Sequence, residues 1–138
     1  MTGSRRYQPD LDAVRAFHRK FVTGVTIVTA MDGGAPRGLA VNAFSSISLS
    51  PALILVCVAR TAATHDPLYR AERFAVNALA HDQAGLARQF GSRSRDKFDG
   101  IPGGPAPTAA PCSTVSAAGA WHQQVPCPGG VIVVRRGG

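Results

Sequence analysis

The sequence predicts a mainly β domain of about five mostly antiparallel strands, closed as a barrel or sandwich, with two or three short helices. Short runs rich in Val, Ile, Thr and Leu follow one another at residues 21–31, 37–41, 44–49, 53–59 and 74–79, with turn signals between several of them. Only two stretches, near residues 11–21 and 81–90, carry a clear helical spacing of apolar residues. No Gly-x-Gly-x-x-Gly follows a strand, so a parallel dinucleotide-binding sheet is unsupported.

Taken in order, residues 1–10 are polar and are expected to form a flexible terminus. Asp10 can cap a helix that carries Leu11, Val14, Phe17 and Phe21 on one stripe. Residues 21–31 then read as a strand, with Gly24 marking a bulge or a close approach. Asp32-Gly33-Gly34 is a turn, and residues 37–41 return antiparallel. From Phe44 the pattern alternates, with Phe44, Ser46 and Ser48 on one face and Ser45, Ile47 and Leu49 on the other.

The apolar run at 53–59 has the length of a strand buried on both faces. Thr64 offers an N-cap for a short helix with Asp66 in its first turn and Pro67 early in it. Residues 74–79 form another strand, and 81–90 a helix stopped by Gly91. After Ile101 the composition changes. Residues 102–138 are more than half Gly, Pro and Ala and contain no acidic residue, which predicts an irregular tail with one possible strand at 131–134.

The chain has 138 residues and a net charge of +7, from 13 Arg and 2 Lys against 8 acids. These cations are scattered and no aromatic-basic stripe accompanies them, which argues against nucleic acid. No apolar run approaches the ~20 residues of a membrane span, and no signal-peptide core follows Arg5 and Arg6, so a cytoplasmic location is expected. The three cysteines, Cys57, Cys112 and Cys127, form no metal-ligand spacing. No metal site and no catalytic nucleophile or acid–base pair is expected.

Residues 38–51, reading GLAVNAFSSISLSP, are the candidate binding stretch. Small residues let a ligand approach the backbone, and Asn and Ser offer hydrogen bonds without bulk. That suits a flat, polar-edged ligand bearing a phosphate, and equally an ordinary amphipathic strand with a solvated Ser face.

The segments FVTGVTIVTA (21–30), GLAVNAFSSISLSP (38–51), LILVCVARTAATH (53–65), RFAVNALAHDQAGLARQFGSR (73–93) and DKFDG (96–100) together resemble the flavin reductase-like, FMN-binding split-barrel proteins, in order and spacing. The resemblance implies an antiparallel Greek-key split barrel over residues 11–101, incomplete as a domain, that pairs as a homodimer. It implies an NAD(P)H-dependent flavin reductase that uses FMN or FAD, with NADH or NADPH as co-substrate, and passes reduced flavin to a partner monooxygenase. The cofactor carries such chemistry, so no catalytic side chain is needed.

Mapped onto this chain, the resemblance places Leu39, Ala40, Val41 and Asn42 along the isoalloxazine edge and Ser45 and Ser46 at the ribityl or phosphate end. Ala59, Arg60 and Thr64 form a second wall, and Arg60 or Lys97 neutralises the phosphate. Asn42 could instead satisfy a turn, and Arg60 could pair with Asp66. The tail departs from the family. Pro128-Gly129-Gly130 stands where the family has a Gly-Asp-His turn, and His122 lies upstream of that position. Missing closing strands would leave an unpaired sheet edge. The alternative expectation is therefore a non-catalytic flavin-binding protein or an inactive, truncated remnant of such a reductase. The tail's composition also fits a shifted reading frame, which sequencing the coding DNA would test.

Overall fold

A computed structural model describes residues 10–50, 52–71 and 73–101 in full, and the backbone of 122–127 and 131–135. The expected flexible terminus before Asp10 and the irregular segment 102–121 lie outside the described residues.

The chain opens with helix α1 (Leu11–Lys20), capped by the Asp10 carboxylate, which accepts from the Asp12 N–H at 3.1 Å. Strand β1 (Thr26–Asp32) follows. It starts later than the sequence predicts, and residues 21–25 are not in a strand. The reason is the register: β1 pairs with its two neighbours from Thr26 onward, at Val41 on one side and Ala78 on the other. Gly24 therefore sits outside the sheet, in open space.

Gly33 and Gly34, with φ of 58° and 82°, make the tight turn into β2 (Ala35–Val41). Positive φ at both central residues is what a two-residue hairpin requires. Pro36 is tolerated within β2 because that strand lies at a sheet edge. Then come β3 (Phe44–Leu49), β4 (Ala52–Cys57), helix α2 (His65–Arg70) and β5 (Phe74–Ala78). A single 3₁₀ turn at His81–Gln83 leads into α3 (Ala84–Gly91).

Strands β6 (His122–Cys127) and β7 (Val131–Arg135) complete the order. β7 falls on the possible strand expected at 131–134, and β6 adds one that was not expected in the C-terminal part. β7 pairs antiparallel with β4, and β6 with β7. The sequence did not signal β6 because His-Gln-Gln-Val-Pro-Cys is polar and contains Pro126. Such a strand survives only at an edge, where β6 lies.

The strands form two antiparallel sheets, β2-β1-β5 and β3-β4-β7-β6. Chain passage between them occurs at Asn42 and Ala43, where the Cys57 N–H donates to the Ala43 carbonyl at 2.9 Å. The shared core unites Val28, Ala30, Val41, Phe74 and Val76 of the first sheet with Ile54 and Val56 of the second, together with Val58 and, from α2, Leu68. The run at 53–59 is thus buried on one face only: Ile54, Val56 and Val58 are inside, and Leu53, Leu55 and Cys57 are half-covered. The β3 alternation is also broken, because a bulge between Ser46 and Ser48 shifts the register at Ile47.

Candidate functional site

A cavity of about 960 Å³ lies where the outer face of β2 meets the 59–64 turn, α2 and the segment after α3. Its volume falls in the range of small-molecule and cofactor sites. Gly38, Leu39 and Ala40 line one wall, and Ala59, Thr61, Ala62, Ala63 and Thr64 line the second. The floor includes Phe90, and the far side carries Ser92, Arg93, Ser94, Arg95 and Lys97.

The first wall is a strand edge. Among the described residues β2 pairs only with β1, so alternate residues direct their backbone groups outward. Gly38 is one of these: its carbonyl accepts from the Thr64 hydroxyl at 3.3 Å. The period of two along a strand makes Ala40 the next residue to present its N–H and C=O outward. Thr64 stands at the N-cap of α2, but its hydroxyl makes no capping bond and ties the two walls together instead.

Gly38 is required by packing rather than by backbone conformation. A Cβ there would lie 2.7 Å from Cε1 of Phe90 and 3.1 Å from Cγ2 of Thr29. Phe90 is 1% exposed, so it has no room to retreat. The close approach of α3 to β2 thus defines the cavity floor.

The segment beyond α3 is pinned by several contacts. Lys97 Nζ donates to the Phe90 carbonyl at 2.9 Å. Gln89 Nε2 donates to the carbonyls of Lys97 and Asp99 at 3.0 and 2.9 Å. Phe98 packs edge-on against Phe90, with ring centroids 5.1 Å apart. Burial lowers the Lys97 ammonium pKa below the ordinary lysine value.

At the opposite end, Asp32 accepts from Arg70 at 3.3 Å and faces Arg37 at 3.9 Å. Asp66 is hydrogen-bonded to His65 at 2.8 Å. That bond, followed by the charges of His65, Arg70 and Arg60, holds its carboxyl below the usual carboxylate range.

Of the ten residues singled out by sequence, the structure gathers Leu39, Ala40, Ala59, Thr64 and Lys97 around the cavity. The other five are not among its lining residues. Val41 is buried in the core, and its carbonyl accepts from the Thr26 hydroxyl at 2.8 Å. Asn42 is exposed beyond the end of β2, and Ser45 and Ser46 are exposed on β3. Arg60 is exposed in the turn after β4, and it makes no ion pair with Asp66 within 4.0 Å, although its charge acts on it. Sequence reasoning passed over Arg93 and Arg95, whose signal was the Ser-Arg-Ser-Arg run before Asp96.

A family model described as "Flavin reductase like domain" matches residues 17–125. The reductase subunit of a flavin-dependent monooxygenase from Rhodococcus jostii is 41% identical over 99 residues, covering 72% of this chain and 51% of that protein. An NADH-dependent FAD reductase from Streptomyces globisporus is 45% identical over 85 residues, covering 59% and 46%. The chain spans about half the length of the curated relatives it matches. Among solved structures, an NADH:FAD oxidoreductase of Streptomyces globisporus, in complex with NAD and FAD fragments, has a TM-score of 0.72 at 31% identity, covering 92% of this chain and 79% of that one.

Proposed function

We propose that this chain, which belongs to the flavin reductase-like domain family, binds FMN or FAD in the cavity beside β2 and transfers hydride to it from NADH or NADPH. The reduced flavin then leaves for a partner monooxygenase. The observation that carries the reading is the cavity itself. Its two walls are small residues flanking an open strand edge, and its far side is cationic.

These residues fit a flavin. Ala40 can present backbone groups to the polar edge of an isoalloxazine ring, while Gly38, Ala59, Ala62 and Ala63 leave room for a flat ring. Thr61 adds a hydroxyl that, among the described residues, makes no hydrogen bond. When bound, the flavin supplies the hydride-accepting chemistry. The protein's part is to fix the ring and exclude water from one face, which requires orientation and no protein acid or base.

The homodimer implied by the family resemblance is part of the same proposal. α1 has no buried residue, and its stripe leaves Leu11 and Phe17 exposed, with Phe21 and Val22 just beyond. Ile47 and Leu49 of β3 are exposed as well. A second copy covering these residues would remove apolar area from water. Among the described residues no helix is long and apolar enough to cross a membrane.

A second reading is flavin binding without hydride transfer. It is favoured by the placement of Asn42, Ser45 and Ser46 away from the cavity lining, which leaves fewer polar contacts than the resemblance implies. Titrating the purified protein with FMN and then following NADH oxidation at saturating flavin separates the two. Turnover supports the reductase. Binding without turnover supports the second reading. A folded protein that binds no flavin contradicts both.

A further inference from the structure

The cavity is electrically lopsided. At the Asp32 end its two cations, Arg37 and Arg70, are balanced by two lining carboxylates, Asp32, which both approach, and Asp66, on which the Arg70 charge acts. On the far side Arg93 and Arg95 line the cavity, and among the described residues no carboxylate lies within ion-pair distance of either. Two other cations that could serve a phosphate are accounted for. Lys97 is anchored to the Phe90 carbonyl and partly buried, and Arg60 is not in the lining.

The backbone that carries the two arginines is held in place. The Ser92 hydroxyl donates to the Gln89 carbonyl at 2.7 Å and accepts from the Ser94 N–H at 3.3 Å. The Ser94 hydroxyl in turn accepts from the Asp96 N–H at 3.1 Å. These local bonds and the Lys97 and Gln89 anchors fix the segment at both ends. An ordered backbone lowers the entropy lost when its side chains close on an anion.

We infer that Arg93 and Arg95 are the phosphate-recognising end of this cavity and set the direction in which its ligand lies. The uncharged end of the ligand then points toward Asp32, whose neighbourhood is neutralised. Arginine suits the role because its planar fork meets phosphate oxygens two at a time. The inference rests on the flavin reading above. The phosphate of a flavin and the diphosphate of a pyridine nucleotide share the chemistry that this end would recognise.

The test is equilibrium binding with three probes: FMN, riboflavin, which lacks the phosphate, and ADP-ribose, which carries a diphosphate and no flavin. Wild-type protein should bind FMN or ADP-ribose with an affinity that falls as salt rises. The double variant Arg93→Gln/Arg95→Gln should lose about tenfold or more for the phosphate-bearing probe, with riboflavin held within about twofold. Arg88→Gln, which removes one exposed charge outside the lining, should leave all three unchanged. A loss confined to FMN assigns the arginines to the flavin phosphate, and one confined to ADP-ribose assigns them to the pyridine nucleotide.

Equal losses for FMN and riboflavin would overturn the inference, since the arginines would then act through structure alone. Unchanged binding of all three probes would overturn it too, and would leave the flavin reading standing. Wild-type protein that is folded yet binds neither FMN nor riboflavin would instead sink the flavin reading, and this inference with it.

Discussion

Two apolar regions of this molecule meet opposite fates. In the β2-β1-β5 sheet, Ile27, Val28, Phe74 and Val76 are nearly inaccessible, and the cavity is built on that rigid support. On α1 and β3, residues of the same chemistry stand in water: Phe17 is 67% exposed and Leu49 90%. Burial of apolar area is the main stabilising term in folding, so the first region holds the domain together and the second contributes little to a single copy. The contrast separates a part that supports the ligand site from a part left exposed on the single chain.

The largest effect should come from breaking the buried side. Phe90→Ala removes the cavity floor and is expected to cost about 3–5 kcal/mol, read from denaturant unfolding, with flavin affinity falling as the floor collapses. Gly38→Ala presses a methyl group against the same ring and should cost about 1–3 kcal/mol. A smaller loss, about 1 kcal/mol, is expected for Lys97→Met, which leaves the Phe90 carbonyl without this donor.

Lys97 also carries a pH signature. Its pKa is lowered by burial, so between that lowered value and the ordinary 10.5 the unfolded chain holds a proton that the folded chain has released. Stability should therefore rise with pH across that window, and Lys97→Met should flatten the rise. The smallest effect on the single copy belongs to the exposed side. Phe17→Ser with Phe21→Ser should change its unfolding free energy by less than ~0.5 kcal/mol. In sedimentation, the same pair of changes should shift the assembly toward the single copy. A large loss of single-copy stability would erase the distinction between the two regions.

Much of the first region was legible in the sequence because its determinants are local. The Asp-Gly-Gly turn and the β-branched runs each act within a few residues, as does the Asp10 cap of α1 in the second region. The limits lay where long-range pairing decides. β1 begins at Thr26 because its partners end there, a fact that residues 21–25 do not carry. β6 has weak strand character and exists by pairing with β7. The site divided in the same way. The family resemblance placed Leu39, Ala40, Ala59 and Thr64 on two walls, and these four residues line the cavity. The sequence could not reveal that Lys97 serves a backbone carbonyl, nor which of 13 arginines reach the cavity. Ser45 and Ser46, which the resemblance placed at the ribityl or phosphate end, lie on a different sheet from the cavity wall.

That last difference offers the most direct measurement of where the flavin binds. FMN affinity is compared for Ala59→Trp, which places a ring in the cavity, and Ser46→Arg, which adds bulk on the exposed face of β3. The cavity account predicts at least about a tenfold loss for the first and less than about a twofold change for the second. Intact affinity in Ala59→Trp together with lost affinity in Ser46→Arg would contradict it and move the flavin site to β3.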